Sequence, residues 1–188
     1  MRSYFAIDSI VDTELKFGVE SLLSGDLNGA RSFWHSAVTD HHMKYNNPLS
    51  SLQSDVIPNL GVEHFAGRNF KQGFAWYHGL YTRQAVSEDP ALQDAGYYDL
   101  ISAGLVDGSN GRYANAKVRF EKCLQLLPNG SDASFYLGIA ELALQNNAAA
   151  ETAFAESITR RTIGGGRTSY NAEWGVSSAY IWLTLLPN

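Results

Sequence analysis

The chain has 188 residues and a single cysteine, Cys123, which excludes an internal disulfide framework. A formal charge of -5 argues against broad binding to nucleic acid or acidic membranes, which depends on basic patches that release counterions. With 45% hydrophobic and 18% charged residues the composition suits a globular domain or a short run of repeats rather than a disordered chain, and no apolar run reaches the ~18 residues of a membrane helix.

Residues 1–10 carry Arg2 but meet Asp8 before any sustained apolar stretch. They are expected to form a lead-in rather than a secretory signal, and the chain to be cytoplasmic. A long-range period begins after them. Four dipeptides mark it, Phe17-Gly18, Leu60-Gly61, Ala103-Gly104 and Leu137-Gly138, separated by 43, 43 and 34 residues. Each 43 reads as 34 plus an addition of nine. With the dipeptides at positions 7 and 8, the repeats run 11–44, 54–87, 97–130 and 131–164. Position 20 is then small (Ala30, Gly73, Ala116, Ala150) and position 24 aromatic (Trp34, Tyr77, Phe120, Phe154).

Each repeat reads as two helices around a turn, with expected spans 11–24 and 27–40, 53–67 and 70–86, 97–109 and 112–127, and 131–145 and 148–161. The turns are Gly25-Asp26-Leu27, Arg68-Asn69-Phe70, Gly111-Arg112-Tyr113 and Gln145-Asn146-Asn147. Glycine or asparagine there is expected to end the first helix in the left-handed region, and aspartate or asparagine to cap the second. The small residues at positions 8 and 20 are expected to face each other where the two helices cross. The position-24 aromatic should fill the next gap, toward the following repeat. Pro58 falls inside the second repeat's first helix and should begin or kink it. The nine-residue additions, Tyr45 to Gln53 and Glu88 to Gly96, read as inter-repeat loops with an extra turn.

This frame resembles the tetratricopeptide repeat (TPR) family over residues 11–164, whose period is 34 residues. The resemblance implies an all-α, right-handed α-solenoid of four TPR-like helix-turn-helix repeats. After Gly164-Gly165-Gly166, Trp174-Gly175 repeats the marker dipeptide, so residues 165–188 look like a linker and a C-terminal capping helix resembling the first helix of a fifth repeat.

In that family the first helices line a concave groove. Carried over, the groove here would be Leu15, Val19, Leu22, Asn59, Val62, Phe65, Tyr98, Ile101, Leu105, Phe135 and Ile139. Chaperone-binding members clamp a carboxylate on this face. The clamp would fall on Leu15, Val19, Asn59, Tyr98 and Ser102, where Asn59 alone keeps the required residue type. An apolar or amphipathic helix is therefore the expected occupant, rather than an acidic peptide end.

No residue pattern points to chemistry. His41-His42 are adjacent on a helix and point apart, no HExxH or CxxC spacing occurs, and Gly164-Gly165-Gly166-Arg167-Thr168 lacks phosphate-loop spacing. Cys123 sits at a core position and is expected to be inert. No catalytic residue, metal or cofactor is expected. Two functions remain in view. One is a non-catalytic scaffold, adaptor or assembly factor that binds a partner protein. The other is end-to-end self-assembly through Tyr170, Trp174, Ile181, Trp182 and Leu185, a surface more apolar than a cap requires, meeting another copy's first repeat.

Overall fold

The helices are set by their turns. A computed structural model describes residues 4–45, 62, 64, 65, 67–84, 96–163 and 170–185. Among these every regular element is an α-helix: α1 (Tyr4–Leu23), α2 (Leu27–Tyr45), α3 (Phe70–Gln84), α4 (Tyr97–Ser109), α5 (Tyr113–Leu126), α6 (Ser131–Ala143), α7 (Asn147–Ile163) and α8 (Tyr170–Leu185). Val62, His64 and Phe65 are also helical, just ahead of α3. The chain is all-α. Pro58 and nearly all of both nine-residue additions lie outside the described residues. The expected lead-in is not separate, because α1 runs back to Tyr4. No glycine or proline stands between Met1 and Phe17 to stop it.

Position 15 of all four repeats adopts positive φ: Gly25 (83°), Arg68 (57°), Gly111 (77°) and Gln145 (64°). Each is the hinge of the same two-bond cap. Its own N–H donates three residues back, as in Gly25 to Leu22, and the next N–H donates five back, as in Asp26 to Ser21. The pairs Arg68 to Phe65 with Asn69 to His64, Gly111 to Gly108 with Arg112 to Asp107, and Gln145 to Leu142 with Asn146 to Glu141 repeat it. Glycine thus does the expected work twice. Arg68 and Gln145 hold the left-handed backbone with a side chain attached, at a cost of about 1 kcal/mol.

The following helix starts alike in each repeat, the position-16 carbonyl accepting from the position-20 N–H (Asp26 from Ala30, Asn69 from Gly73, Arg112 from Ala116, Asn146 from Ala150). Asp26 adds a side-chain cap, its Oδ1 accepting from the Gly29 N–H at 2.9 Å. Asn146 does not cap this way: its side-chain amide donates to Glu141 instead.

At the crossing of paired helices the position-8 glycine meets the position-24 ring. A Cβ added to Gly18, Gly104 or Gly138 would fall 2.0 Å from Trp34, 2.5 Å from Phe120 or 2.5 Å from Phe154. The position-8 glycine therefore lies directly beneath the position-24 ring of its own repeat, sixteen residues on. The ring covers its own hairpin, and Phe120 also reaches the following repeat, stacking on Tyr136 at 5.5 Å. The position-20 alanines Ala30, Ala116 and Ala150 are fully buried beside it.

From residue 62 onward each helix packs on its successor: α3 on α4, α4 on α5, α5 on α6, α6 on α7 and α7 on α8. Aromatic rings run through this stack, with Phe74 on Phe120 (6.3 Å), Phe120 on Tyr136 (5.5 Å) and Tyr77 on Phe135 (5.9 Å). Buried hydroxyls are satisfied in series, Ser178 bonding Ser157, which donates to the Ser131 carbonyl. The first hairpin adds a long-range contact. Among the described elements α1 packs on α2 and α7, and α2 packs on α1 and α8.

Candidate interaction surfaces

The apolar strip assigned to a groove is packed shut. Leu15, Phe65, Ile101, Leu105, Phe135 and Ile139 are fully buried, Val19 and Val62 nearly so, and Leu22 partly. Phe65 shows why, since its ring stacks on Tyr77 at 5.6 Å and meets Phe135 edge-on at 6.3 Å. Among the described residues, large apolar side chains on successive helices interleave there. Asn59 lies outside the described residues, and of Tyr98 only the backbone is described.

The apolar C-terminal helix also has an occupant. Ile181 and Trp182 are buried, together with Val176 and Ala179. The Trp182 ring meets Trp34 of α2 edge-to-face with centroids 4.8 Å apart. The Arg31 guanidinium lies 4.9 Å from the Trp182 ring centroid, and the indole N–H donates to Glu151 at 3.1 Å. The first repeat that α8 meets belongs to the same chain. Tyr170, Trp174 and Leu185 lie on α8, with side chains outside the described residues.

Two buried acids occupy position 11 of the third and fourth repeats. Asp107 accepts from Arg112 at 2.7 Å and Arg119 at 2.6 Å. Burial by itself would raise its pKa, but the hydrogen bonds and charges of the two guanidiniums hold it below the ordinary aspartate value. Glu141 accepts from Lys117 at 2.6 Å and from Asn146 at 2.8 Å. That hydrogen bond, against some burial, raises the Lys117 pKa. A third acid, Asp132, accepts from the Tyr97 hydroxyl and the Ala133 N–H, tying the first turns of α4 and α6 together. Its pKa is raised because burial outweighs these bonds. The periodic frame contained a signal for the position-11 pair, an acid facing a base on a second helix, but it shows only once the fold pairs them. Burial pushes the Cys123 thiol up to about 12, which keeps it protonated and unreactive.

Among the described residues, large apolar side chains gather in the open on the first hairpin. Phe17 on α1 is 43% exposed and Phe33 on α2 is 37% exposed, and their rings touch at 5.4 Å. Nearer the turn, Leu23 and Leu27 are 79% and 51% exposed. Phe17 stands at position 7, where Leu137 of the fourth repeat packs against the core. On the first hairpin the equivalent site is exposed. As a period marker Phe17 was visible in the sequence; its exposure was not, because it depends on which hairpin neighbours which. Among the described residues no three His, Cys, Asp or Glu side chains are grouped to hold a metal ion, and no helix is long and apolar enough to cross a membrane.

Comparison with family models, curated proteins and solved structures found no match to this chain.

Proposed function

We propose that the protein is a non-catalytic, TPR-type protein-interaction module, an adaptor or assembly factor for an apolar or amphipathic segment of a partner protein. The observation that carries this is the exposed, touching pair Phe17 and Phe33 on the first hairpin, with Leu23 and Leu27 exposed beyond it. Water-facing apolar side chains of this size, gathered on one hairpin, mark a contact surface. The four identical turns support the TPR-type reading of the repeats, with its α-solenoid arrangement from residue 62 onward. A non-catalytic role is supported by the buried acids, whose partners Arg112, Arg119, Lys117, Asn146 and Tyr97 hold them as clips between helices.

The groove drawn on Leu15, Val19 and Leu105 would require these buried side chains to separate before a partner entered. The outer face of the first hairpin needs no such opening. The test is binding to a panel of amphipathic helical peptides, read by fluorescence anisotropy. Binding is expected, with a loss of about tenfold or more in the F17S/F33S double variant. Equal binding by that variant would remove this surface, and strong binding lost only in Leu105→Glu would return the site to the groove.

A further inference from the structure

Where α4 turns into α5, positive charge gathers on a chain whose formal charge is -5. Asp107, 3% exposed, holds Arg112 at 2.7 Å on one carboxylate oxygen and Arg119 at 2.6 Å on the other. A guanidinium carries five N–H donors, more than a share of one carboxylate can take. Both side chains also stay partly in water, 53% and 41% exposed. Lys71, exposed in the first turn of α3, comes to the same turn: a Cβ added to Gly111 would fall 2.8 Å from its Cε and 3.5 Å from its Nζ. Phe70 and Phe74 hold α3 against α5 there, their rings 6.1 Å and 6.2 Å from that of Tyr113. Neither α3 nor α5 has an acid in its first turn. Among the described residues Asp107 is the acid paired to this cluster, and Lys71 has no acid partner.

We propose that this cationic turn docks an acidic segment of a partner protein, whose Asp or Glu side chains meet the guanidiniums of Arg112 and Arg119 and the Lys71 ammonium. The buried Asp107 carboxylate neutralises one of the three charges and leaves a surplus of two. It also holds both guanidiniums in place before a partner arrives, so less side-chain freedom is lost on binding. Guanidinium forks match carboxylates through paired hydrogen bonds, which suits Asp and Glu side chains. A nucleic-acid duplex fits less well, because its binding draws on a broad basic surface and this cluster is local on an acidic chain. A peptide fits better than one small ion, since the arginines converge on Asp107 while Lys71 approaches Gly111 from a different helix. The proposal does not rest on the apolar contact surface of the first hairpin, with which it shares no residue.

The test is fluorescence anisotropy of the full chain with a labelled peptide of alternating Glu and Ser, against the same peptide with Gln in place of Glu, at low and high salt. The Glu peptide should bind, with an affinity that falls as salt rises, and the Gln peptide should not. Lys71→Glu should weaken binding about tenfold with an unchanged melting temperature, because this exposed lysine supports no buried group. Arg112→Lys and Arg119→Lys keep a charge beside Asp107 but lose the fork, and each should weaken binding severalfold. F17S/F33S should bind as the parent does. No binding of the Glu peptide, or equal binding by Lys71→Glu, would overturn the proposal. So would displacement of the peptide by equimolar inorganic phosphate, which would make the turn a small-anion site, or tighter binding of a DNA duplex, which would make it a nucleic-acid surface. If the arginine variants do not fold, Lys71→Glu decides by itself.

Discussion

The first hairpin and the stack from residue 62 to 185 obey one local pattern and yet sit differently. Both set glycine beneath an aromatic ring sixteen residues on, as at Gly18 with Trp34 and at Gly138 with Phe154. Both turn on a left-handed residue at position 15, closed by the same pair of hydrogen bonds. In the stack, each helix then rests on the helix that follows it in sequence. Among the described elements the first hairpin also rests on α7 and α8, at the opposite end of the chain. A hairpin is therefore a short-range product, while its neighbours are chosen by whichever apolar face remains uncovered. The apolar face of α8 is what the first hairpin covers.

Trp182→Ala should break this arrangement most strongly. It removes a fully buried ring along with the Trp34 and Arg31 contacts, at a cost of about 3–5 kcal/mol in urea unfolding. A Trp34/Trp182 double-mutant cycle should return a coupling of about 0.5–1.5 kcal/mol, and no coupling would mean that the two ends do not meet in solution.

Glycine substitutions separate the regions next. Gly138→Ala drives a methyl into Phe154 and should cost about 1–3 kcal/mol, partly offset by better helix propensity. Gly18→Ala drives one into Trp34, the ring that also holds Trp182, and so should loosen the end-to-end contact as well. Hydrogen exchange would show this as lost protection in α8 for Gly18→Ala but not for Gly138→Ala.

Titration gives a smaller contrast, of opposite sign at Asp107 in the stack and Glu14 in the first hairpin. The lowered Asp107 pKa contributes stability that is present above the ordinary aspartate value and lost as pH falls through the folded value. Asp107→Asn should thus weaken the protein at neutral pH, with the gap closing in acid. In the first hairpin the Glu14 pKa is raised, by burial foremost and by the Asp40 charge, against the Ser36 hydrogen bond. Its contribution is present below the ordinary glutamate value and lost as pH rises through the folded one. One carboxylate oxygen of Glu14 is buried with no hydrogen-bond partner, consistent with that sign. Glu14→Gln should equal or exceed the parent at neutral pH and lose that advantage on acidification. Urea midpoints measured from about pH 3 to pH 8 check both. The smallest effect belongs to Phe17→Ser, within about 0.5 kcal/mol, because that side chain is already open to water.

Much of the architecture was written along the chain. The marker dipeptides located all four turns, and Gly25 and Gly111 announced their left-handed backbone directly. Arg68 and Gln145 did not: glycine or asparagine was the expected left-handed residue, and in these two turns the asparagine stands one place after it. The reach of α1 to Tyr4 was missed because the frame begins at residue 11, although nothing in residues 4–10 breaks a helix. Leu15, Phe65 and Phe135 were legible as an apolar strip, but an open groove and a closed core share that pattern.

Helix identity, turn position and the glycine–aromatic spacing are short-range matters, each settled by contacts within about twenty residues of chain. That range is enough to specify every hairpin and nothing between hairpins. The closing of the strip, the meeting of Trp34 with Trp182 and the exposure of Phe17 arise only when hairpins choose neighbours. Burial of apolar area is not directional and favours any arrangement that covers the most of it, so a frame read along the chain does not rank those arrangements. Their energies are compared only in the packed molecule, where the first hairpin covers the last helix.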